Sequence, residues 1–436
     1  MISITNMSSL YYKFLSEYKA THYELRVLEE YLSEYDINNI MLYMITDKDV
    51  KEFVCDEMMK FLEKIPISEQ NWFQISTNSN VTTESIEKHS SKPWNWFGIS
   101  RNPNVTMEYI EKNSSKPWAK GGISWNPNLT MEYVDKHSNE LKEQINLEEF
   151  TLEYLEKHWD LRGISRNPNI TLEYVETHQE IPWDWNNMSS HPNLTMEFID
   201  KHLKKLWNHF KLLRHPNLTM EFVEKHLSEP LDWCTISYNP NLTMEYVEKH
   251  PEMPWYGVGL SANPNLTMEF VEKHLGMEWY WPEILHHPTV TMEYMENHSE
   301  FFNDLVNKTP HGELILLGLS SNPNITIDYV EKHLEKPWNW FELSSNPNIT
   351  IDCIEKHLDK PWKWSGMSCN PNITLEYVEK HLDKPWDWND ISRHPNLTIE
   401  FVEKHLEKPW DWTVVISNLF TCNHNEITKQ LNKAMM

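Results

Sequence analysis

Apolar residues in this chain come in two short bursts that repeat with a long period. In the stretch that begins at Thr398, Ile399, Val402 and Leu406 fall at helical spacing, flanked by Phe401 and His405. Glu400, Glu403, Lys404 and Glu407 take the opposite face. Thr398 follows a Pro-Asn turn and can accept a hydrogen bond from an orphan amide of the first turn, so it is the expected N-cap. Glu400 and Lys404 form an i,i+4 pair in the favourable order, and Glu400 suits the positive end of the helix dipole. Pro409 is expected to end that helix and to open a second one. Trp410, Trp412 and Ile416 then supply the apolar face of the second helix. The pattern predicts a hairpin of two short helices per period.

The capping threonine recurs fourteen times, from Thr82 to Thr398, and ten of the thirteen intervals are 24 residues. The exceptions are 21 and 20 residues around Thr151 and 35 residues between Thr291 and Thr326. One such hairpin buries too little to stand alone, so neighbouring copies must share faces, with the tryptophans filling the seams. The expected fold class is all-α, an α-solenoid of stacked short helical hairpins with a helical N-terminal cap. At about 10 Å between packed helices, fourteen units would run on the order of 140 Å.

The pattern divides the chain into an N-terminal helical cap at 1–57, a repeat array at 58–417 and a polar C-terminal capping helix at 418–436. Within "DVKEFVCDEMMKFLEK" (49–64), Val50, Phe53, Val54, Met58, Phe61 and Leu62 share one helical face. "MMKFLEKIPISEQNWFQIS" (58–76) is a degenerate first copy, and Ile427 and Leu431 mark a half copy after the last. Atypical end units are what a stacked array needs to stop it growing. Residues 138–165 lose the Pro-Trp-x-Trp word, which predicts a local kink or change of twist. The 299–320 segment carries eleven extra residues, which either project to bind something or only pack.

Composition narrows the function classes. Ten glycines in 436 residues disfavour turn-rich β architectures and phosphate-binding loops, while twenty-one tryptophans require a structural role. A formal net charge of −26 repels phosphate backbones, so nucleic acid is not an expected partner and basic proteins fit better. Cys55, Cys234, Cys353, Cys369 and Cys422 are odd in number and scattered, which points to reducing conditions. The first twenty residues show no secretory signal pattern, and no apolar run approaches the length of a membrane span.

Three recurring words resemble chemistry. Asn-x-Thr occurs in twelve copies, but Asn as a turn residue and Thr as a cap explain it without glycosylation. Histidines recur at the end of the first helix, from His89 to His405. With equivalent positions about 10 Å apart and no acid beside them in sequence, they read as helix-end residues packed under a Trp and not as metal ligands. The paired carboxylates, such as Glu400 and Glu403, read as a solvated face. No catalytic, cofactor-binding or metal-binding motif is present, and no enzyme is expected.

The positions that change from copy to copy are the candidate partner-binding residues. The residue after the Ile-Ser pair varies, and Arg101, Trp125, Arg166, Arg214, Tyr238 and Arg393 occupy it in different copies. The residue after the second Trp also varies, with Phe97 and Phe341 among its occupants. Arg, Trp and Tyr are the residues enriched at binding hot spots.

The words "NPNLTMEFVEKH" and "KPWDWNDIS" resemble the tryptophan-rich repeats, roughly 24 residues long, of proteins encoded by large DNA viruses of amoebae, the mimivirus-like and marseillevirus-like groups. The likeness covers about 66–417. It implies a non-catalytic repeat scaffold for protein–protein interaction, acting on host factors in the host-cell cytoplasm, with a place in the virion also open. Two further readings remain: a structural component of a particle that self-associates, and an adaptor recruiting a second protein through residues 1–57.

Overall fold

The computed structural model describes residues 13–15, 17, 18, 41, 44–142, 152–226, 231–287, 289–302, 312–334 and 336–420. All regular structure among them is helical, and consecutive short helices pack on one another as an α-solenoid of hairpins. Contacts divide the chain into two compact units. One comprises Met1–Ile170, Thr177–Pro182 and Trp388–Met436; the other comprises Thr171–Glu176 and Trp183–Asp387.

The first helix of a copy is six residues long, as in Met107–Lys112, and starts where the sequence predicts. The Thr106 hydroxyl accepts from the Tyr109 amide at 3.2 Å, and Thr130, Thr243 and Thr398 cap in the same way. The Glu–Lys pair expected on this helix forms in several copies, for example Lys112–Glu108 at 2.6 Å and Lys380–Glu376 at 2.8 Å.

The second helix starts later than the prolines imply. In the last copy the first helix ends at Lys404 with His405 as C-cap, and the second runs Trp412–Leu419. Pro409 therefore lies in the link and not at the first helical position. The cap is the residue between the two tryptophans: Asp411 accepts from the Val414 amide at 3.1 Å, and Asn95 accepts from Gly98 at 2.8 Å. Asn and Asp are strong N-caps, so the Trp-[Asn/Asp]-Trp word is a helix start. The first Trp serves the preceding helix: Trp410 Nε1 donates to the His405 carbonyl at 2.8 Å, and Trp94 Nε1 to that of His89 at 2.9 Å. Each indole thus adds a second donor to a helix-end carbonyl that also accepts a backbone amide, Lys92 N at His89 and Lys408 N at His405.

Copies meet through three kinds of contact. Indoles form the first, with the second Trp of one copy edge-on to the first Trp of the next, as in Trp96–Trp118 at 5.3 Å and Trp388–Trp410 at 5.0 Å. Backbone proximity forms the second. A Cβ on Gly122 would lie 2.5 Å from the Phe97 carbonyl oxygen and 2.7 Å from Ser100 Cβ, so second helices stack almost backbone to backbone. A buried polar ladder forms the third, and the sequence reading missed it. The serine of the Ile-Ser pair accepts the N-cap amide of the next copy's second helix: Ala119 N to Ser100 Oγ at 2.9 Å and Asp411 N to Ser392 Oγ at 3.1 Å. The first Asn of Asn-Pro-Asn donates backwards, Asn126 Nδ2 reaching the carbonyls of Ser100, Asn102 and Val105 at 2.8–3.2 Å.

The ends of the array depart from an open stack. Helix Asp47–Leu62 buries Val50, Val54, Met58, Phe61 and Leu62, and it runs across residue 57. Where later copies have the first Trp, the degenerate copy has Gln70, whose Nε2 donates to the Ile65 carbonyl at 3.1 Å. This first copy packs on the last one within the same unit: Phe61 lies 6.3 Å from Trp412 and 5.6 Å from Phe420, and Lys64 pairs with Glu403. A separation of about 140 Å between array ends is therefore not realised. The 421–436 part of the expected capping helix, and most of the expected N-terminal cap, lie outside the described residues.

Both irregular intervals are bridged by the turn asparagines, Asn167 Nδ2 donating to the Asn126 carbonyl at 2.8 Å and Asn322 Nδ2 to those of Leu285 and Val290 at 2.5 and 3.1 Å. Across the Thr151 copy, Asp160 N reaches Ser124 Oγ at 2.9 Å over a sequence separation of 36 in place of the usual 19. Trp159 donates to Glu140 Oε2 at 3.0 Å. Beside the eleven-residue insertion, Phe301 sits 5.7 Å from Trp281 in the position of a first Trp, and Phe302, Leu316 and Leu319 are buried in the core. The described parts of that segment pack; residues 303–311 lie outside the described residues.

Candidate functional site

The recurring residues are consumed by the framework. The second Asn of the turn, the one in the Asn-x-Thr words, uses its amide nitrogen between copies: Asn128 Nδ2 donates to the carbonyls of Pro103 and Val105 at 2.7 and 3.1 Å. Its position is thus explained by packing.

Several of the recurrent histidines are also paired, and here the sequence reading needs correction. An acid does accompany them, supplied by the preceding copy. His226 Nε2 lies 2.8 Å from Asp200 Oδ1, His357 Nδ1 lies 2.9 Å from Glu331 Oε1, and His202 Nε2 lies 3.6 Å from Glu176 Oε1. In several copies the lysine before the histidine closes on the same carboxylate, as Lys225 does on Asp200 and Lys201 on Glu176, whereas at His357 it is Lys360 that joins Glu331. Burial pushes the Asp200 carboxyl up, but the Lys225 and His226 bonds outweigh it and hold it below its ordinary value. In these copies the second carboxylate of the pair is therefore an inter-copy clasp and not merely a solvated face. Among the described residues no group of three or more His, Cys, Asp or Glu is placed to hold a metal ion. Where the residue four positions earlier is aromatic, the histidine ring packs on it in most copies, as in Phe222–His226 at 4.4 Å; His89 and His357 follow Ser85 and Cys353 instead.

A second set of histidines went unnoticed in sequence. His191, His215 and His394 replace the first Asn of the turn and are buried. His215 Nδ1 accepts the Asn217 amide at 3.1 Å, and its Nε2 faces the His191 carbonyl at 3.2 Å. This imidazole copies the acceptor and donor of an asparagine side chain. Burial pushes its pKa down, opposed by the His191 carbonyl.

The variable positions lie along the exposed flank of the second helices. Arg101, Arg166, Arg214 and Arg393 are exposed, and Trp125, Tyr238 and Phe97 are half-buried. Phe341 is 40% exposed. In the unit with the array ends, the Arg101 guanidinium lies 5.2 Å from the Trp125 ring, whose Nε1 donates to Asp160 Oδ2 at 2.8 Å. Phe97 sits 6.1 Å from Phe73 of the copy before. Arg393 donates to its own helix at the Asn389 carbonyl, with Asp411 at 3.7 Å. In the other unit, Arg214 lies 5.3 Å from the Phe210 ring and 4.8 Å from that of Tyr238. The structure thus brings Arg101 to Trp125 and Arg214 to Tyr238, each pair bridging adjacent copies. Sequence reasoning missed Phe210, Tyr256 and Tyr280, all exposed on or beside second helices. Phe210 could have been found, since it follows the second-helix N-cap as Phe97 does.

A pocket of about 670 Å³ is lined by Glu87, Lys92, Trp94, Trp96 and Lys116 among others. Lys116 Nζ lies 5.9 Å from the Trp96 ring and donates to Tyr109 at 3.2 Å, so the lysine is already held by the framework. No helix among the described residues is long and apolar enough to cross a membrane. Comparison with protein-family models, curated proteins and solved structures finds no match for this chain.

Proposed function

We propose that this protein is a non-catalytic repeat scaffold that binds protein partners along the second-helix row. One observation carries the reading. Residues that recur from copy to copy are spent on seams and caps, whereas those that change lie exposed or half-buried on the flanks of second helices within each unit, and some touch across copies, as Arg101 does Trp125 and Arg214 does Tyr238. A stacked array holds its framework fixed and can vary one surface to choose a partner. Likeness to the tryptophan-rich repeats of amoebal giant viruses supports a viral protein acting on host factors in the host cytoplasm. The net charge of −26 favours basic partners elsewhere on the surface.

Proximity labelling in expressing cells tests this. Wild type should enrich a defined partner, and a variant with Arg101, Arg166, Arg214, Tyr238 and Phe341 all changed to serine should lose it with unchanged far-UV circular dichroism. Equal enrichment by both proteins would end the proposal. Self-association through the row, with high copy number in purified particles, would put a structural component in its place.

A further inference from the structure

One copy reverses the charge of the chain around it. From Lys201 to Met220 there is no Asp or Glu, while Lys201, Lys204, Lys205, Lys211 and Arg214 all occur, in a protein of net charge −26. Lys201 bridges Glu176 and Glu197. The other four cations meet no carboxylate among the described residues. Lys205 Nζ lies 5.0 Å from the Trp185 ring, and Lys211 Nζ donates to Asn186 Oδ1 at 2.9 Å. Arg214 is held between the rings of Phe210 and Tyr238, and Tyr238 lies 6.5 Å from Tyr256. Glu283 acts electrostatically on Tyr238 and so borders the patch. The same copy exposes large apolar side chains, Leu206 at 86% and Phe210 at 57%.

We infer that this patch docks an acidic protein segment that also carries apolar or aromatic side chains. The inference rests on the reading of the second-helix row as a partner surface, and it gives this part of the row a partner opposite in charge to that favoured by the rest of the molecule. Charge complementarity decides the occupant. Four cations without carboxylate partners, set among exposed apolar groups, match alternating carboxylates and large side chains. The Arg214 guanidinium lies within cation–π distance of two rings, and its planar fork can take a carboxylate through two parallel hydrogen bonds. Phe210 offers apolar area beside it, and Leu206 adds exposed apolar area in the same copy. A nucleic acid or an anionic bilayer would also meet these cations, but each presents dense negative charge to a chain with twenty-six net negative charges of its own.

The test uses the full-length protein and fluorescence anisotropy with a labelled peptide of alternating Glu and Leu around a central Trp. The peptide should bind wild type and weaken with added salt. It should lose about tenfold or more in affinity to the Lys211→Glu/Arg214→Glu protein, and to Phe210→Ser separately. Arg393→Glu, at the same row position in another copy, should bind as wild type does. Three results overturn the assignment: no binding to wild type, equal binding to the charge-reversed protein, or tighter binding of oligothymidylate or phosphatidylserine vesicles that the same variants abolish. If the peptide fails while substitution of the whole row still abolishes partner recovery, only this docking assignment falls. If row substitution also leaves recovery unchanged, the row reading falls with it.

Discussion

The side-chain amide of Asn80 donates to the backbone carbonyl of Phe420 at 3.0 Å, across a sequence separation of 340 residues. Asn78 reaches the same oxygen at 3.3 Å, so the first turn of the array treats the last copy as its predecessor. Phe420 is fully buried beside Phe61. Phe420→Ala should cost about 3–5 kcal/mol in urea unfolding of this unit. A change within about 0.5 kcal/mol, the usual range for surface substitutions, would mean that the ends do not meet in solution.

Glycines at the third position of second helices should resist any side chain. A Cβ on Gly122 meets backbone at 2.5 Å, whereas a Cβ on Gly276 has nothing within 4 Å. Gly122→Ala should destabilise by about 1–3 kcal/mol, the range for overpacking, while Gly276→Ala should be near neutral or slightly stabilising. Thermal melts of the two variants separate these outcomes.

The polar ladder predicts which replacements an asparagine tolerates. Asn126→Ala removes a donor shared by three carbonyls, of which those of Asn102 and Val105 keep another, and should cost about 1–3 kcal/mol. Asn126→His should recover much of this at pH 8, because His215 fills the equivalent place through Nδ1 and Nε2. Since the pKa of His215 is depressed, its neutral form is the one the fold accepts. Its stabilising contribution is complete above the unfolded value of about 6.5 and falls as pH drops toward the folded value. Urea midpoints of wild type and His215→Asn should therefore converge with rising pH and separate on acidification, with the asparagine variant the less sensitive.

Acid should act on the ionic clasps at lower pH. Bonds from Lys48 hold Glu84 down to about 2, and Lys120 does the same for Glu140. Lowered carboxylate values stabilise the fold above the ordinary value of 4.5, and that contribution disappears as pH falls from there toward 2. Lys120→Met should flatten this part of the stability profile in circular dichroism titrations and leave the His215 part unchanged.

Much of one copy is readable from its own residues, because caps and amphipathic faces are local. Thr106 and Thr398 cap where they are expected, and Val402 is buried on the predicted face. What escaped notice spans copies. The Asn126–Ser100 bond has a separation of 26 residues, and Ala119–Ser100 has one of 19; neither is adjacent in sequence, though both are the period plus or minus a few residues. The pairing of His226 with Asp200 is hidden in the same way. Pro409 misled because it suits a first helical position, yet Asp411 offers the stronger cap two residues later. Contact between Phe61 and Phe420 has no local signature, since the two residues are 359 positions apart in sequence. The variable row was legible as variability, but the stacking of Arg214 between Phe210 and Tyr238 depends on inter-copy spacing that no single copy encodes.

Excision of one copy tests most directly whether copies are held by their neighbours. Within Thr350–Ile373, Asn370 donates to the carbonyls of Ser344, Asn346 and Ile349, His357 pairs with Glu331, and Trp362 and Trp364 pack on Trp340 and Trp386. Every one of those partners lies outside the excised stretch. The amide proton spectrum of a peptide spanning 350–373 should be narrow and coil-like, with no long-range nuclear Overhauser effects. A dispersed spectrum from a folded monomer would contradict neighbour-held packing.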